Sequence, residues 1–434
     1  MQKRYGGLHM RDEFDLKETF LYYIRHFRDS IFVFFKWLTF SLLSGIVIGS
    51  AGLLFHYCMT WANDTRTANP VLILLLPLAG LLIVGAYHLL HDEKDTGTNL
   101  VLAAIHSGDN IPLKMAPLIF ISTVMTHLFG GSAGREGAAL QFGGSIGNSL
   151  GRLFKFDDKD QHIMIMCGMS AAFSVLFGTP MAAAIFSMEV VSVGIMHYAA
   201  LVPCVVSALI SREIAEYFGV MPEQFILRGL PEFTLATGGR IAILAMFCAG
   251  VSIVFCIMLH YGEKLYKKYF PDPYLRIFTG GTFIVIMTLL VKCQDYNGAG
   301  MAVIERCFEN EYVPWAFLLK MLFTAVTLGC GFKGGEIVPS FVVGGSFGCL
   351  FGNMIGFAPS LCTAAGMGAV FCGVTNCPIT SLLICFEMFG FEGMPYFLLS
   401  IALSYMLSGY YGLYRSQKIV YSKYKTEFIN RKTH

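Results

Sequence analysis

Two acidic residues stand where this chain has little reason to carry charge. Between Lys114 and Arg152 the only charged side chains are Arg135 and Glu136, within "GGSAGREGAALQFGGSIGNSLG", Gly130 to Gly151. Glu336 opens the related segment "GGEIVPSF". A charge at bilayer depth costs at least about 2.5–3.5 kcal/mol, so ionisable groups in apolar surroundings of this kind generally have a function. Both segments have one form: glycines, then a carboxylate, then an apolar helix. Glycine leaves backbone N–H groups uncovered, and a helix N-terminus adds partial positive charge. Together they make an anion site that needs no buried lysine. Two such tips facing each other can strip water from a small anion and replace it with N–H donors. Glu136 then becomes the resident competitor: ionised, it fills the seat of the anion, and protonated, it loses its charge and can leave. A carboxyl removed from water favours its neutral form, which couples anion arrival to a proton.

The elements that must position these groups are membrane helices. The chain has 434 residues, 55% hydrophobic and only 14% charged, with a mean hydropathy of +0.61; soluble chains carry about 25% charged residues. Apolar windows long enough to cross a bilayer include Ile31–Phe55, Pro70–Leu90, Arg240–Gly262 and Phe278–Val291. The 50 residues between Glu336 and Glu387 hold no Asp, Glu, Lys or Arg. That run is too long for one span and predicts several short or tilted helices broken at Gly and Pro. An all-α integral membrane protein follows. The net charge of +2 says nothing about partners, but residues 415–434 hold six basic side chains against one acidic, which predicts a cytoplasmic C-terminus. Residues 1–29 are charged and amphipathic, without the apolar core of a signal peptide, and read as a cytoplasmic lead-in helix. The 13 cysteines form no CxxC pair, so neither zinc nor a disulfide framework is indicated.

The two halves of the chain echo each other. "GGSIG" at Gly143–Gly147 recurs as "GGSFG" at Gly344–Gly348, and "GMSAAF" at Gly168–Phe173 as "GMGAVF" at Gly366–Phe371. Pro180 and Glu189 match Pro378 and Glu387, each 198 positions later. A duplicated membrane domain with Gly-interrupted segments at matching places is a transporter pattern, in which broken helices aim their N-termini at a site near the midplane. The expected organisation is a first transmembrane repeat over 30–230, a second over 231–422 and a cytoplasmic tail over 423–434. Periodicity alone leaves parallel and inverted repeats equally open.

The motifs "GREG", "GGEIVP" and, near the end, "IVYSK" at Ile419–Lys423 resemble those of the CLC family of anion channels and proton-coupled exchangers, from about residue 30 to residue 422. The resemblance implies two inverted repeats of broken and tilted helices per subunit, a homodimer with one pore per subunit, and, with no soluble regulatory domain after Tyr421, the short form. The departures are specific. Where chloride-handling members show "GSGIP" this chain has "TGTNLV", Thr96–Val101; Ala138 follows "GREG"; the third motif carries a second carboxylate, Glu336; and Val190 stands where chloride exchangers place an inner proton-relay glutamate. This combination resembles the fluoride/proton antiporters of the family.

By that resemblance Glu136 gates the anion and carries the proton, and Glu336 is the second protonatable group. The backbone of Gly137, Ile337 and Val338 lines the anion site, Tyr421 is the pore tyrosine, and Thr98 or Asn99 takes the place of the selectivity serine. Fluoride and protons are then the substrates, in a bacterial plasma (inner) membrane, with lipid and a second copy of the chain as partners; neither cofactor nor nucleic acid is implied. Each residue also has a structural reading. Glu136 can pair with Arg135, Glu336 with Lys333 at a helix start, Thr98 can be a helix cap, and Tyr421 can belong to an interfacial aromatic belt. Glu189 and Glu387, ending apolar helices, read as structural rather than as proton relays. Among functions, a chloride exchanger or a passive anion channel of the same family are the alternatives. A membrane-embedded enzyme is disfavoured, since the chain has no HExxH, no GxSxG and no pair of aspartates on facing spans.

Overall fold

The computed structural model describes residues 16–92, 97–108 and 110–434, with side chains from Phe20 onward. Residues 1–15 of the expected lead-in helix, and Thr96 of "TGTNLV", lie outside the described residues. Leu16–Asp29 run without a break into the first apolar segment as α1, Leu16–Ala68. At 1.5 Å per residue α1 is about 80 Å long, well beyond the ~30 Å of a hydrocarbon core.

The helices of the first half are α2 (Leu76–Leu89), α3 (Thr98–Ser107), α4 (Met115–Leu128), α5 (Glu136–Leu153), α6 (Asp158–Phe177), α7 (Pro180–Glu189) and α8 (Leu201–Tyr217). The second half repeats the series as α9 (Leu235–Tyr269), α10 (Pro273–Val291), α11 (Met301–Phe308), α12 (Ala316–Cys330), α13 (Ile337–Ile355), α14 (Pro359–Thr375), α15 (Pro378–Phe389) and α16 (Met394–Leu407). Among the described residues, seven helical stretches are long and apolar enough to cross a membrane. The charge-free run becomes α13, α14 and α15, broken at Gly356–Ala358 and Asn376–Cys377. Pro359 and Pro378 stand at first-turn positions, where a missing N–H costs nothing.

The repeated motifs are helix crossings. A methyl group at Gly143 would overlap the Gly168 carbonyl, and one at Gly168 would overlap the Gly143 carbonyl. The second half reproduces this contact between Gly344 and Gly366. The "GGSxG" and "GMxAxF" pairs therefore exist so that α5 can lie backbone to backbone on α6, and α13 on α14.

A second device ties the halves together. Glu189, at the end of α7, accepts the N–H groups of Ile379 (3.1 Å) and Thr380 (2.8 Å) at the start of α15, and the Thr380 hydroxyl at 2.6 Å. Glu387, at the end of α15, accepts those of Met181 (3.0 Å) and Ala182 (2.9 Å) at the start of α7. Each short helix thus has its orphan first-turn amides satisfied by a carboxylate from the other half.

A small sheet joins the helices. β1 (Ser192–Val193) pairs in parallel with β2 (Lys418–Tyr421), which pairs antiparallel with β3 (Phe428–Lys432). Composition had suggested helices alone; the strands are short, β2 and β3 in the basic terminal segment and β1 just after α7.

Candidate functional site

The chain reaches α5 and α13 through two glycine turns that touch. Gly134 and Gly335 form an isolated antiparallel bridge: the Gly134 N–H donates to the Gly335 carbonyl at 2.6 Å, and the Gly335 N–H to the Gly134 carbonyl at 2.8 Å. The approach leaves no room for side chains. A Cβ at Gly137 would lie 2.7 Å from Gly335 Cα, one at Gly335 would overlap the Gly137 nitrogen, and one at Gly334 would overlap Ala133. Glu136 is the first residue of α5 and Glu336 the N-cap position of α13. The first-turn amides of both helices, with Gly137, Ile337 and Val338 among them, therefore start side by side. They carry two positive dipole ends and up to four N–H groups each without an intrahelical acceptor.

Glu136 is buried, 1% exposed. Its Oε2 accepts the Arg135 backbone N–H at 2.9 Å, and its Oε1 meets the Arg135 Nε at 3.4 Å. The ion pair with the neighbouring arginine is thus present, but it is longer than the bonds Arg135 makes to Glu223 and Leu176. The guanidinium donates to Glu223 at 2.8 Å and to the Leu176 carbonyl at 3.0 Å, and lies 3.4 Å from His56 Nδ1. Glu223, in the loop before α9, is the counter-charge that keeps Arg135 from being fully committed to Glu136. Burial pushes its carboxyl above the usual carboxylate range, with Arg135 pulling it back.

Glu336 is partly buried and makes no ion pair with another described residue. Lys333 instead sits over the Tyr87 ring at 4.1 Å. Thr98 is brought to the site: it is buried, its hydroxyl donates to the Gly137 carbonyl at 3.4 Å, and it accepts from Gln141 Nε2 at 3.4 Å. It is not the cap of α3; Gly97 holds that position, with φ 68°. Asn99 turns elsewhere, its Oδ1 accepting the Ser416 N–H at 3.0 Å.

The two tyrosines of the terminal segment are placed differently. Tyr421 ends strand β2, is 43% exposed, and packs its ring against Phe428 at 5.8 Å. Pairing of residues 418–421 with β1 and β3 keeps Ile419 and Val420 buried and leaves Tyr421, at the end of the strand, exposed. Tyr414 occupies the interior instead. It is fully buried, its hydroxyl has no hydrogen-bond partner among the described residues, and it lies within electrostatic reach of both Glu336 and Glu136. A buried phenol without a partner is uncommon, since Tyr O–H groups in interiors usually find one. The signal was local composition: "GLYRSQ", around Tyr414, ends the last apolar span, whereas Tyr421 stands among lysines.

A bundle of membrane helices whose two halves meet at facing, carboxylate-bearing helix N-termini defines a membrane protein built to handle a small ion. Residues 87–409 match the profile of the voltage gated chloride channel family, and the chain belongs to that family, the CLC proteins. It is 34% identical over 401 residues to the "Chloride/fluoride channel protein" of Pseudomonas syringae pv. tomato, covering 90% of this chain and 88% of that one. A solved structure described as a CLC-type fluoride/proton antiporter superposes with a TM-score of 0.86 at 30% identity, covering 88% of this chain and 98% of that one. A slow cyanobacterial Cl−/H+ antiporter superposes with a TM-score of 0.73 at 19% identity, over 86% and 94% of the chains, which shows the common fold.

Proposed function

We propose that this protein exports fluoride in exchange for protons. The observation that carries the reading is the Gly134–Gly335 bridge, which sets the amide tips of α5 and α13 together with a carboxylate at each. Ionised Glu136 competes with the anion for those amides. Once protonated it releases them, and the anion enters as the proton moves. Glu336 is the second protonatable group, which suits a chain with Val190 where chloride exchangers keep their inner glutamate. The Tyr414 hydroxyl is the side-chain donor available to a central anion, and Thr98 borders the first turn of α5. The fluoride specificity is supported by the relatives named for fluoride at 34% and 30% identity and by the "GGE" motif. Fluoride holds its water tightly, so a site of many fixed N–H donors suits it. The reading extends to a homodimer in a bacterial plasma membrane, with repeats over 30–230 and 231–422 and the basic tail in the cytoplasm.

A passive channel is the second reading, favoured by the name of the Pseudomonas relative. Purified protein in fluoride-loaded liposomes separates the two. The expected result is fluoride efflux at an electrode with matching proton uptake, slow chloride efflux, and loss of proton movement in Glu136→Gln. Chloride flux as fast as fluoride flux, or proton uptake that survives in Glu136→Gln, overturns the proposal.

A further inference from the structure

Two buried basic side chains lie behind the gate loop without an ion pair to a described residue. Arg66, two residues before the end of α1, is 9% exposed and makes no ion pair with a described residue. Its Nη1 donates to Gln294 Oε1 at 3.3 Å, and its Nε has no partner among the described residues. Lys320, on α12, is fully buried. Its Nζ donates to the Gly298 carbonyl at 2.7 Å, the Ser132 hydroxyl at 3.0 Å and the Tyr296 carbonyl at 3.2 Å, all neutral groups. The acid at this end, Asp295, is held by Arg306 at 2.7 Å, and Asp64 points outward on α1. Lys and Arg are almost never buried without a partner. Lys320 has its donors met by three neutral acceptors; Arg66, with its Nε unmet, is the one that an anion from outside the chain would satisfy.

A cavity of about 860 Å³ opens beside Arg66. Its floor is polar, with Asn63, Gln294 and Asn297; its walls are Val71, Leu74 and Leu289, all largely exposed. Exposed Lys292 stands at the rim. Leu289 lies two residues from the end of a 19-residue apolar span, about the length that crosses a hydrocarbon core, which sets it near the membrane boundary. A water molecule claims about 30 Å³, so a lone halide would leave most of this volume unfilled. Arg66 at the base, Lys292 at the rim and the apolar walls suit an amphiphile instead, with Asp295, the acid in the lining, already paired with Arg306. We infer that this cavity binds an anionic phospholipid, its phosphate on Arg66 and its acyl chains along Val71, Leu74 and Leu289.

The site backs directly onto the gate. Asn297 Nδ2 donates to the Gly130 carbonyl at 2.6 Å, the Gly298 N–H to the Gly131 carbonyl at 2.9 Å, and the Ala133 N–H to the Gly298 carbonyl at 3.2 Å. A lipid seated on the floor therefore steadies the turn that holds residues 130–134, the approach to Glu136.

The test uses full-length protein, purified and delipidated in detergent, with binding of phosphatidylglycerol, phosphatidylcholine and inorganic phosphate measured by native mass spectrometry. Phosphatidylglycerol should bind more tightly than phosphatidylcholine and resist displacement by inorganic phosphate. Arg66→Gln should weaken it about fivefold, the worth of one basic residue at a membrane surface, and Arg66→Lys should restore most of that. Leu289→Trp, which crowds the lipid-facing wall and leaves Arg66 alone, should also weaken it, and serves if Arg66→Gln fails to fold. Unchanged phosphatidylglycerol binding in either Arg66→Gln or Leu289→Trp overturns the assignment. So does equal binding of phosphatidylcholine, or displacement by inorganic phosphate, which would make a free anion the ligand.

Discussion

Placing a methyl group at Gly335 tests whether the two helix tips must touch for transport. In Gly335→Ala the new Cβ would overlap the Gly137 nitrogen and lie 3.0 Å from Gly137 Cα, both backbone atoms that no rotamer change can move aside. Overpacking of this kind costs about 1–3 kcal/mol. Separating the turns also strains the two N–H···O bonds of the Gly134–Gly335 bridge, worth about 0.5–1.5 kcal/mol each. The sum is about 2–6 kcal/mol against the assembled site, so its population falls at least about 30-fold. Because α5, α6, α13 and α14 keep their own packing, the protein should still fold. Gly250 is the control: it lies on α9 with nothing within 4 Å of an added Cβ, and alanine there should raise stability by up to about 1 kcal/mol. The assay is fluoride efflux from liposomes, with size-exclusion profiles and thermal unfolding as checks on folding. A Gly335→Ala protein that transports at the normal rate would refute the claim that bridged tips form the site.

Three further outcomes follow from the same geometry. Tyr414→Phe should weaken apparent fluoride affinity by about 10- to 150-fold, the value of one hydrogen bond to a charged group, while Tyr421→Phe leaves it unchanged; the reverse pattern in concentration-dependent flux would return the role to Tyr421. Glu223, whose carboxyl burial raises, binds its proton more tightly folded than unfolded. It therefore adds stability as pH falls from neutral toward the ordinary carboxylate range, and that gain fades as pH rises through its folded pKa. The unfolding midpoint of the unmodified protein minus that of Glu223→Gln should accordingly rise on acidification; a difference that shrinks contradicts this. Glu189→Gln and Glu387→Gln each remove a charged cap from a short helix and should cost about 1–3 kcal/mol in thermal unfolding with the fluoride-to-chloride ratio unaltered. An altered ratio at unchanged stability would instead place that carboxylate in the ion path.

The two glutamates were conspicuous in the chain itself, because apolar surroundings tolerate so few charges that position and role nearly coincide. The repeat was equally plain: glycines that let α5 lie on α6 must recur wherever the same crossing recurs, so Gly143 and Gly168 reappear as Gly344 and Gly366. The tyrosine was not legible in this way. Tyr414 and Tyr421 are seven residues apart in one segment, and only the pairing of β2 with β1 and β3 turns one outward and leaves the other buried in the interior. Thr98 and Asn99 are a similar case, separated by which face of α3 meets α5.

Local composition was enough for the membrane class, the halving of the chain and the glycine-carboxylate tips, since each depends on neighbours in the chain and on the cost of exposing polar backbone to lipid. Tertiary structure alone decided the contacts between residues some 200 positions apart: the Gly134–Gly335 bridge, the crosswise capping by Glu189 and Glu387, and the Arg66–Gln294 hydrogen bond. Such contacts depend on how helices cross, and burial and charge balance are properties of that crossing rather than of any stretch of sequence.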